Sequence, residues 1–305
     1  MREVSSCKLM FATALLLVQA TFHSPRLVES SGVAVSRTYP GVLWTHNDSG
    51  DGPYVYATDV RGTDRGALLV PGAQAIDWED IALGPCPIPF PVQPRSTVNA
   101  TSCLYLADTG DNMEFRPFVT VYAVPEPPPP DRARDTLGTT RAPAILRLRY
   151  PDGPHDVEAA YVSPRDTALY LVSKGATRGS AIRVYRVDAQ SWRSDTITVA
   201  TLVQTLDIRP KPVAGRVVTA GAIRPDGRIV ALRTYIDIYL FYSGVGGRLL
   251  PARKRPCDVA GLEIGGEAID FLDDSTFVLT SEAGRKRPGT IDTVKCGLPR
   301  EDSSQ

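Results

Sequence analysis

Three glutamates each head a short apolar run: Glu79-Asp80-Ile81-Ala82-Leu83, Glu158-Ala159-Ala160-Tyr161-Val162 and Glu267-Ala268-Ile269-Asp270-Phe271. Two acidic loops accompany them, His46-Asn47-Asp48-Ser49-Gly50-Asp51 and Asp108-Thr109-Gly110-Asp111-Asn112. Carboxylates brought together repel one another, so they share protons, pair with Lys or Arg, or bind a cation. An all-oxygen ligand set suits a hard cation, above all Ca²⁺, which takes about six to eight oxygens in flexible geometry. The expectation is a calcium site built from Glu79, Glu158, Glu267, Asp108 and Asp111. The competing expectation is that the glutamates cap strand ends or pair with Lys174 and Arg233, and that the Asp-rich loops are tight turns.

His46 is the candidate general acid or base, although a lone loop histidine also serves structure. Asn47, Asp48, Asp77, Asp80, Lys174, Arg233, Tyr235 and Glu282 complete a candidate ligand-binding set. Lys174 and Arg233 suit an anionic ligand such as phosphate or carboxylate, or else neutralise the acids. No Gly-x-Ser-x-Gly occurs, and no Cys/His spacing resembles a zinc site.

The elements that must position these groups repeat. Ser31-Gly32-Val33-Ala34-Val35 and Gly221-Ala222-Ile223 align with the three Glu-led runs. The first positions, 31, 79, 158, 221 and 267, lie 48, 79, 63 and 46 residues apart. Propeller blades take about 40–50 residues, so the two long intervals carry insertions, one of them the run Pro125-Glu126-Pro127-Pro128-Pro129-Pro130. Behind each first run follow further apolar runs, such as Leu104-Tyr105-Leu106, Val119-Thr120-Val121-Tyr122 and Ile145-Leu146-Arg147-Leu148, bounded by turn residues. The expected fold is all-β: a β-propeller of four-stranded antiparallel blades, five in number, with six as the alternative. A β-sandwich would not explain the repeated first strand. The last unit lacks a fourth strand, which Arg26-Leu27-Val28 is expected to supply by closing the ring. In such a blade the entry to the inner strand and the loop after the second strand reach the same face. That places Asp77, Glu79, Asp80, Asp156, Glu158 and Glu267 with the polar loops around one channel mouth.

Formal net charge is zero over 305 residues, so no electrostatic argument favours nucleic acid or an anionic membrane as partner. No segment is long and apolar enough for a comfortable membrane span. Arg2 and Lys8, an apolar stretch from Leu9 to Val18, and Val18-Gln19-Ala20 read as an export signal. Without Cys7 inside that signal, Cys86, Cys103, Cys257 and Cys296 remain. An even number in an exported chain suggests two disulfides, the local pairing Cys86–Cys103 and Cys257–Cys296 being one of three connectivities. Asn47-Asp48-Ser49 and Asn99-Ala100-Thr101 fit the glycosylation pattern. The expected organisation is a signal peptide over 1–20, one propeller over 26–297 and a polar tail over 298–305, in a secreted or periplasmic monomer.

Thr45-His46-Asn47-Asp48-Ser49-Gly50-Asp51, Asp77-Trp78-Glu79-Asp80-Ile81-Ala82, Ala107-Asp108-Thr109-Gly110-Asp111-Asn112 and Val121-Tyr122-Ala123-Val124-Pro125-Glu126-Pro127 together resemble a group of exported, largely uncharacterised bacterial β-propeller proteins. More distantly, the Glu-led strands are similar to calcium-dependent phytase-like and gluconolactonase-like propellers. That resemblance implies Glu79, Glu158 and Glu267 as metal ligands, while Ser31 and Gly221 depart from the pattern. The functional expectation is a module that binds a small anionic molecule, a glycan or a protein. The alternative is a metal-dependent hydrolase, phosphoesterase-like or lactonase-like.

Overall fold

The computed structural model describes residues 15–91, 101–130, 137–175, 181–193, 195–208, 213–252, 255–263, 265–284 and 287–297. Residues 1–14 of the expected signal, Asn99-Ala100 of the second glycosylation pattern and the 298–305 tail lie outside them.

Five small sheets form, each an antiparallel meander at its core. Blade 1 comprises Ser30–Val35, Leu43–Asn47, Tyr54–Thr58 and Ala67–Leu69. Blade 2 comprises Trp78–Pro85, Ser102–Asp108, Val119–Pro125 and Ala144–Arg149. Blade 3 comprises Val157–Val162, Leu169–Ser173, Ile182–Val187 and Thr201–Leu206. Blade 4 comprises Val218–Ile223, Ile229–Thr234, Asp237–Ser243 and Leu249–Pro251. Blade 5 comprises Gly266–Phe271, Thr276–Ser281 and Thr290–Lys295, with Leu15–Thr21 as its outer strand. Each inner strand packs on the inner strands of the neighbouring blades, and blade 5 returns to blade 1. The propeller is therefore a closed ring of five.

The ring closes through an N-terminal strand, as expected, but a different one. Leu15–Thr21 pairs antiparallel with Thr290–Lys295. The stretch Arg26-Leu27-Val28 instead runs beside the mouth, where Asn47 Oδ1 accepts the N–H groups of Val28 and Glu29. Most side chains of Leu15–Thr21 are exposed, including four adjacent large apolar ones, Leu15 to Val18.

Both disulfides form in the local pairing. Cys86–Cys103 ties the residue just after the inner strand of blade 2 to its second strand. Cys257–Cys296 joins a short strand on the edge of blade 4 to the end of blade 5.

The inner strands converge, so small residues (Ala159, Ala220, Ala222, Ala268) fill them and are buried. Asp80 is fully buried among them. Its carboxylate accepts the N–H groups of Ala160, Gly221 and its own neighbour Ile81, linking the inner strands of blades 2, 3 and 4. Burial pushes its pKa well above the usual carboxylate range, against the pull of those bonds.

Candidate metal centre at the channel mouth

One backbone device aims the site. Every inner strand carries a register shift against its second strand at the same place, skipping Ser31, Glu79, Glu158, Thr219 and Glu267. A β-bulge leaves one extra residue unpaired and re-aims its side chain. The fourth member is Thr219, two residues before the Gly221 expected from sequence, because Val218 pairs with Thr234 and Ala220 with Arg233. Ser31 Oγ donates to the Glu79 carbonyl, and Thr219 Oγ1 to the Gly266 carbonyl, so two of the five serve inter-blade contact. The other three are glutamates.

The residues directly after the second strands form a companion set: Asp48, Thr109, Lys174, Tyr235 and Glu282. Two positions before the bulge stand Asp77 and Asp156 in blades 2 and 3. Asp48, Asp77 and Glu79 offer carboxylate oxygens within 4.8 Å of one another, and so do Glu79, Asp156 and Glu158. Glu79 is common to both triads. Lys174 Nζ lies 3.4 Å from Asp156 Oδ2 and bonds Glu158 Oε1. Among the described residues, no Lys or Arg ion-pairs with Asp48, Asp77 or Glu79.

Burial first, and mutual repulsion after it, shift these acids upward. Burial, then the charges of Asp48 and Asp156, push Asp77 up to about 6. Burial and the Glu158 charge raise Glu79 well above its ordinary value, and burial raises Asp48. Glu158 is also raised by burial, although Lys174 works against this. Burial opposes the charge of Lys174, but Glu158 and Asp156 hold its pKa above the ordinary lysine value. Glu267 reaches about 7 through burial and the neighbouring Glu282. Glu282 is raised by burial and by Asp48, and Tyr235 by burial and Glu267.

Gly110 makes the crowding possible. A Cβ there would lie 2.1 Å from Glu79 Oε1 and 2.5 Å from Asp77 Oδ2. The donor set is oxygen only, acidic and gathered within ligand distance, so the residues present fit a hard divalent cation.

Of the five residues expected as calcium ligands, Glu79 and Glu158 lie in the triads and three do not. Glu267 lies outside both triads, beside Glu282 and Tyr235, although its charge reaches Glu158 and Asp48. Asp108 is fully buried, with Oδ1 3.2 Å from Arg116 and accepting the Asp77 N–H. Asp111 caps its own turn by accepting the Phe115 and Arg116 N–H groups. The triads are completed by Asp48, Asp77 and Asp156. The signal for Asp156 was the doublet Asp-x-Glu, present as Asp77-Trp78-Glu79 and again as Asp156-Val157-Glu158.

The remaining expected residues divide similarly. Asp48, Asp77, Lys174, Tyr235 and Glu282 are at the mouth. Asn47 is spent on backbone, bonding the Val28, Glu29 and Arg26 main chain and Asp51. Asp80 is spent on the inner strands, as above. Arg233 is buried, bonding the carbonyls of Ala268 and Thr280 and the carboxylate of Glu263. His46, expected as a general acid or base, is fully buried with its ring edge-on to Trp78 at 5.4 Å. Burial lowers its pKa to about 4, so it is a neutral core residue at physiological pH. It presents no ring nitrogen to a ligand in the mouth.

Beside the mouth, a groove of about 720 Å³ opens on blade 2, sharing Asp77 and Gly110 with the acidic group. Arg116 lines it, donating to the Gly110 carbonyl at 2.7 Å.

No protein-family model matches the chain, and no curated protein matches it. Among solved structures, the PQQ-bound aldose sugar dehydrogenase of Streptomyces coelicolor is similar over 93% of this chain and 98% of its own, with TM-score 0.51 and 11% identity. An auxiliary nutrient binding protein from Bacteroides thetaiotaomicron matches over 77% of this chain and 42% of its own, with TM-score 0.41 and 12% identity. At such identities the first likeness speaks for the fold alone, and fold does not decide function.

Proposed function

We propose that this chain is an exported β-propeller that holds Ca²⁺ at one channel mouth and uses it to bind a ligand. One observation carries this: the triad Asp48, Asp77 and Glu79, within 4.8 Å and without an ion-pair partner among the described residues. Three such carboxylates repel one another when ionised, and a bound cation removes that repulsion. Asp156 and Glu158 extend the oxygen set, with Lys174 as the internal cation that an ion would partly displace. Calcium takes about six to eight oxygens, and a triad giving one oxygen per carboxylate supplies three, which leaves positions for a ligand. A binding role is favoured over hydrolysis because His46, one of the two kinds of base a hydrolytic mechanism would use, is sequestered in the core, and the other, a mouth carboxylate, is taken up as an ion ligand.

Two disulfides are compatible with an oxidising compartment. No helix among the described residues is long and apolar enough to cross a membrane. Export with cleavage after Ala20 would remove most of Leu15–Thr21 and leave Thr290–Lys295 as the outer edge of blade 5. The four exposed apolar residues of that strand suit a leader better than a mature surface.

Calorimetric titration of chelator-stripped protein tests the ion. Calcium is expected to give saturable heat and a raised melting temperature, both lost in Glu79→Gln. Absence of heat and of any melting shift at millimolar Ca²⁺ would overturn the proposal.

A further inference from the structure

The groove on blade 2 is lined by Asp77 of the acidic group and by Gly110 beside it, yet its other wall is of opposite character. Phe115 is 71% exposed and Met113 70%, and Ile76 and Ile145 are also exposed along the same groove. Large apolar side chains gathered around a concavity and rimmed by polar groups mark a binding site rather than an ordinary surface. The loop that presents Met113 and Phe115 is held in place. Asp111 accepts the N–H groups of Phe115 and Arg116, and its own N–H bonds Asp156 Oδ1 at 2.8 Å. One turn thus connects the apolar wall to the acidic group. Arg116 is pinned between Asp108 and the Gly110 carbonyl, which fixes a positive charge at the junction.

Resting on the calcium reading, we infer that the groove binds a small amphipathic anion: an acyl or aryl body lies against Phe115, Met113 and Ile145, and a terminal carboxylate or phosphate completes the ion's coordination beside Asp77. The volume suits a molecule of this class, since small-molecule sites span roughly 300–1,000 Å³. Charge decides the order of binding. Without the ion, the Asp77 carboxylate in the groove wall, with Asp48 and Glu79 gathered behind it, repels the head group. With the ion, two positive charges cancel much of that repulsion and an open coordination position is offered to the anionic oxygen. Anion binding is therefore calcium-dependent, whereas a neutral analogue of the same chain length is indifferent to calcium.

The experiment uses full-length protein, chelator-stripped or calcium-saturated, titrated with octanoate, octyl phosphate and octanol. Calcium is expected to raise affinity for at least one of the two anions about tenfold or more, and to leave octanol unchanged. The anion that gains more identifies the head group. Phe115→Ser is expected to weaken the calcium-dependent anion binding about tenfold. Calcium heat in wild type, with anion binding absent, calcium-independent or unmoved by Phe115→Ser, would overturn this inference and leave the ion site standing. Absence of calcium heat would overturn the ion site and this inference together.

Discussion

Lys174 is the internal cation of the mouth, and its replacement by Met should expose the charge it balances. Its ammonium lies 3.4 Å from Asp156 Oδ2 and also bonds Glu158. At an effective dielectric constant of about 20, one unit pair at that distance interacts by about 5 kcal/mol before desolvation. Removing one partner of a buried pair typically costs about 3–5 kcal/mol, because the other charge stays buried and unpaired. For a domain of this size, that corresponds to a fall in melting temperature of roughly 6–20 °C. The loss should depend on pH. Burial already raises the folded-state pKa of Glu158 above its unfolded value, and Lys174→Met raises it further. The protonated acid then forms more readily in the native state, so the destabilisation shrinks as pH falls from 8 toward 5. The linkage of Lys174 itself is silent there, since its stabilisation is lost only as pH rises through its elevated pKa. Calcium should restore part of the loss at pH 8 by replacing the missing positive charge. Differential scanning fluorimetry at both pH values, with chelator or Ca²⁺, reads all three effects. A melting shift that is equal at pH 5 and pH 8 and untouched by calcium would refute the charge-balance reasoning and leave only lost packing of the lysine stem.

Further outcomes follow from the same geometry. Gly110→Ala should keep the fold but weaken calcium binding in calorimetry, because its Cβ would lie 2.1 Å from Glu79 Oε1 and drive the triad apart. Calcium binding should release protons near pH 6, where Asp77 titrates, and so show heats that vary with the buffer's ionisation enthalpy. Glu263 and Glu267 have folded-state pKa values of about 7, above their unfolded values, so the native state binds more protons between about pH 4.5 and 7. Calcium-free stability should therefore decline with rising pH across that window, by at most about 3 kcal/mol per group, and Glu267→Gln should flatten the decline measured by calorimetry. Replacing Cys257 and Cys296 by Ala should cost about 4 kcal/mol in denaturant unfolding, since the bridge closes 39 residues.

The fold was legible in the sequence because blade strands are short, apolar and punctuated, and because the inner strand repeats. The blade count rested on that repeat, and packing of Gly266–Phe271 against Ser30–Val35 closes the ring at five. Register was less legible. The string Thr219-Ala220-Gly221-Ala222 has no bulky or charged residue to anchor an alignment, and only the bulge identifies Thr219 as the counterpart of the glutamates. The acid-rich mouth was legible as a place, through Glu79, Glu158 and the loops, but which carboxylates gather there was only partly so. Residue type does not separate an aspartate that caps its own turn, such as Asp111, from one that points at its neighbours, such as Asp48. Nor does it show that His46, two residues before Asp48 at the mouth, turns its ring toward Trp78. The closing strand was misplaced because Leu15–Thr21 has the composition of a leader, and its pairing with Thr290–Lys295 depends on backbone bonds to which side chains give no clue.

The most direct test of the central claim is anomalous diffraction from crystals of the protein grown with Ca²⁺. The expected result is a calcium peak about 2.3–2.6 Å from carboxylate oxygens of Glu79 and at least one of Asp48 and Asp77. A calcium-saturated crystal with no peak at Glu79, and with Lys174 still the cation nearest Asp156 and Glu158, would contradict it.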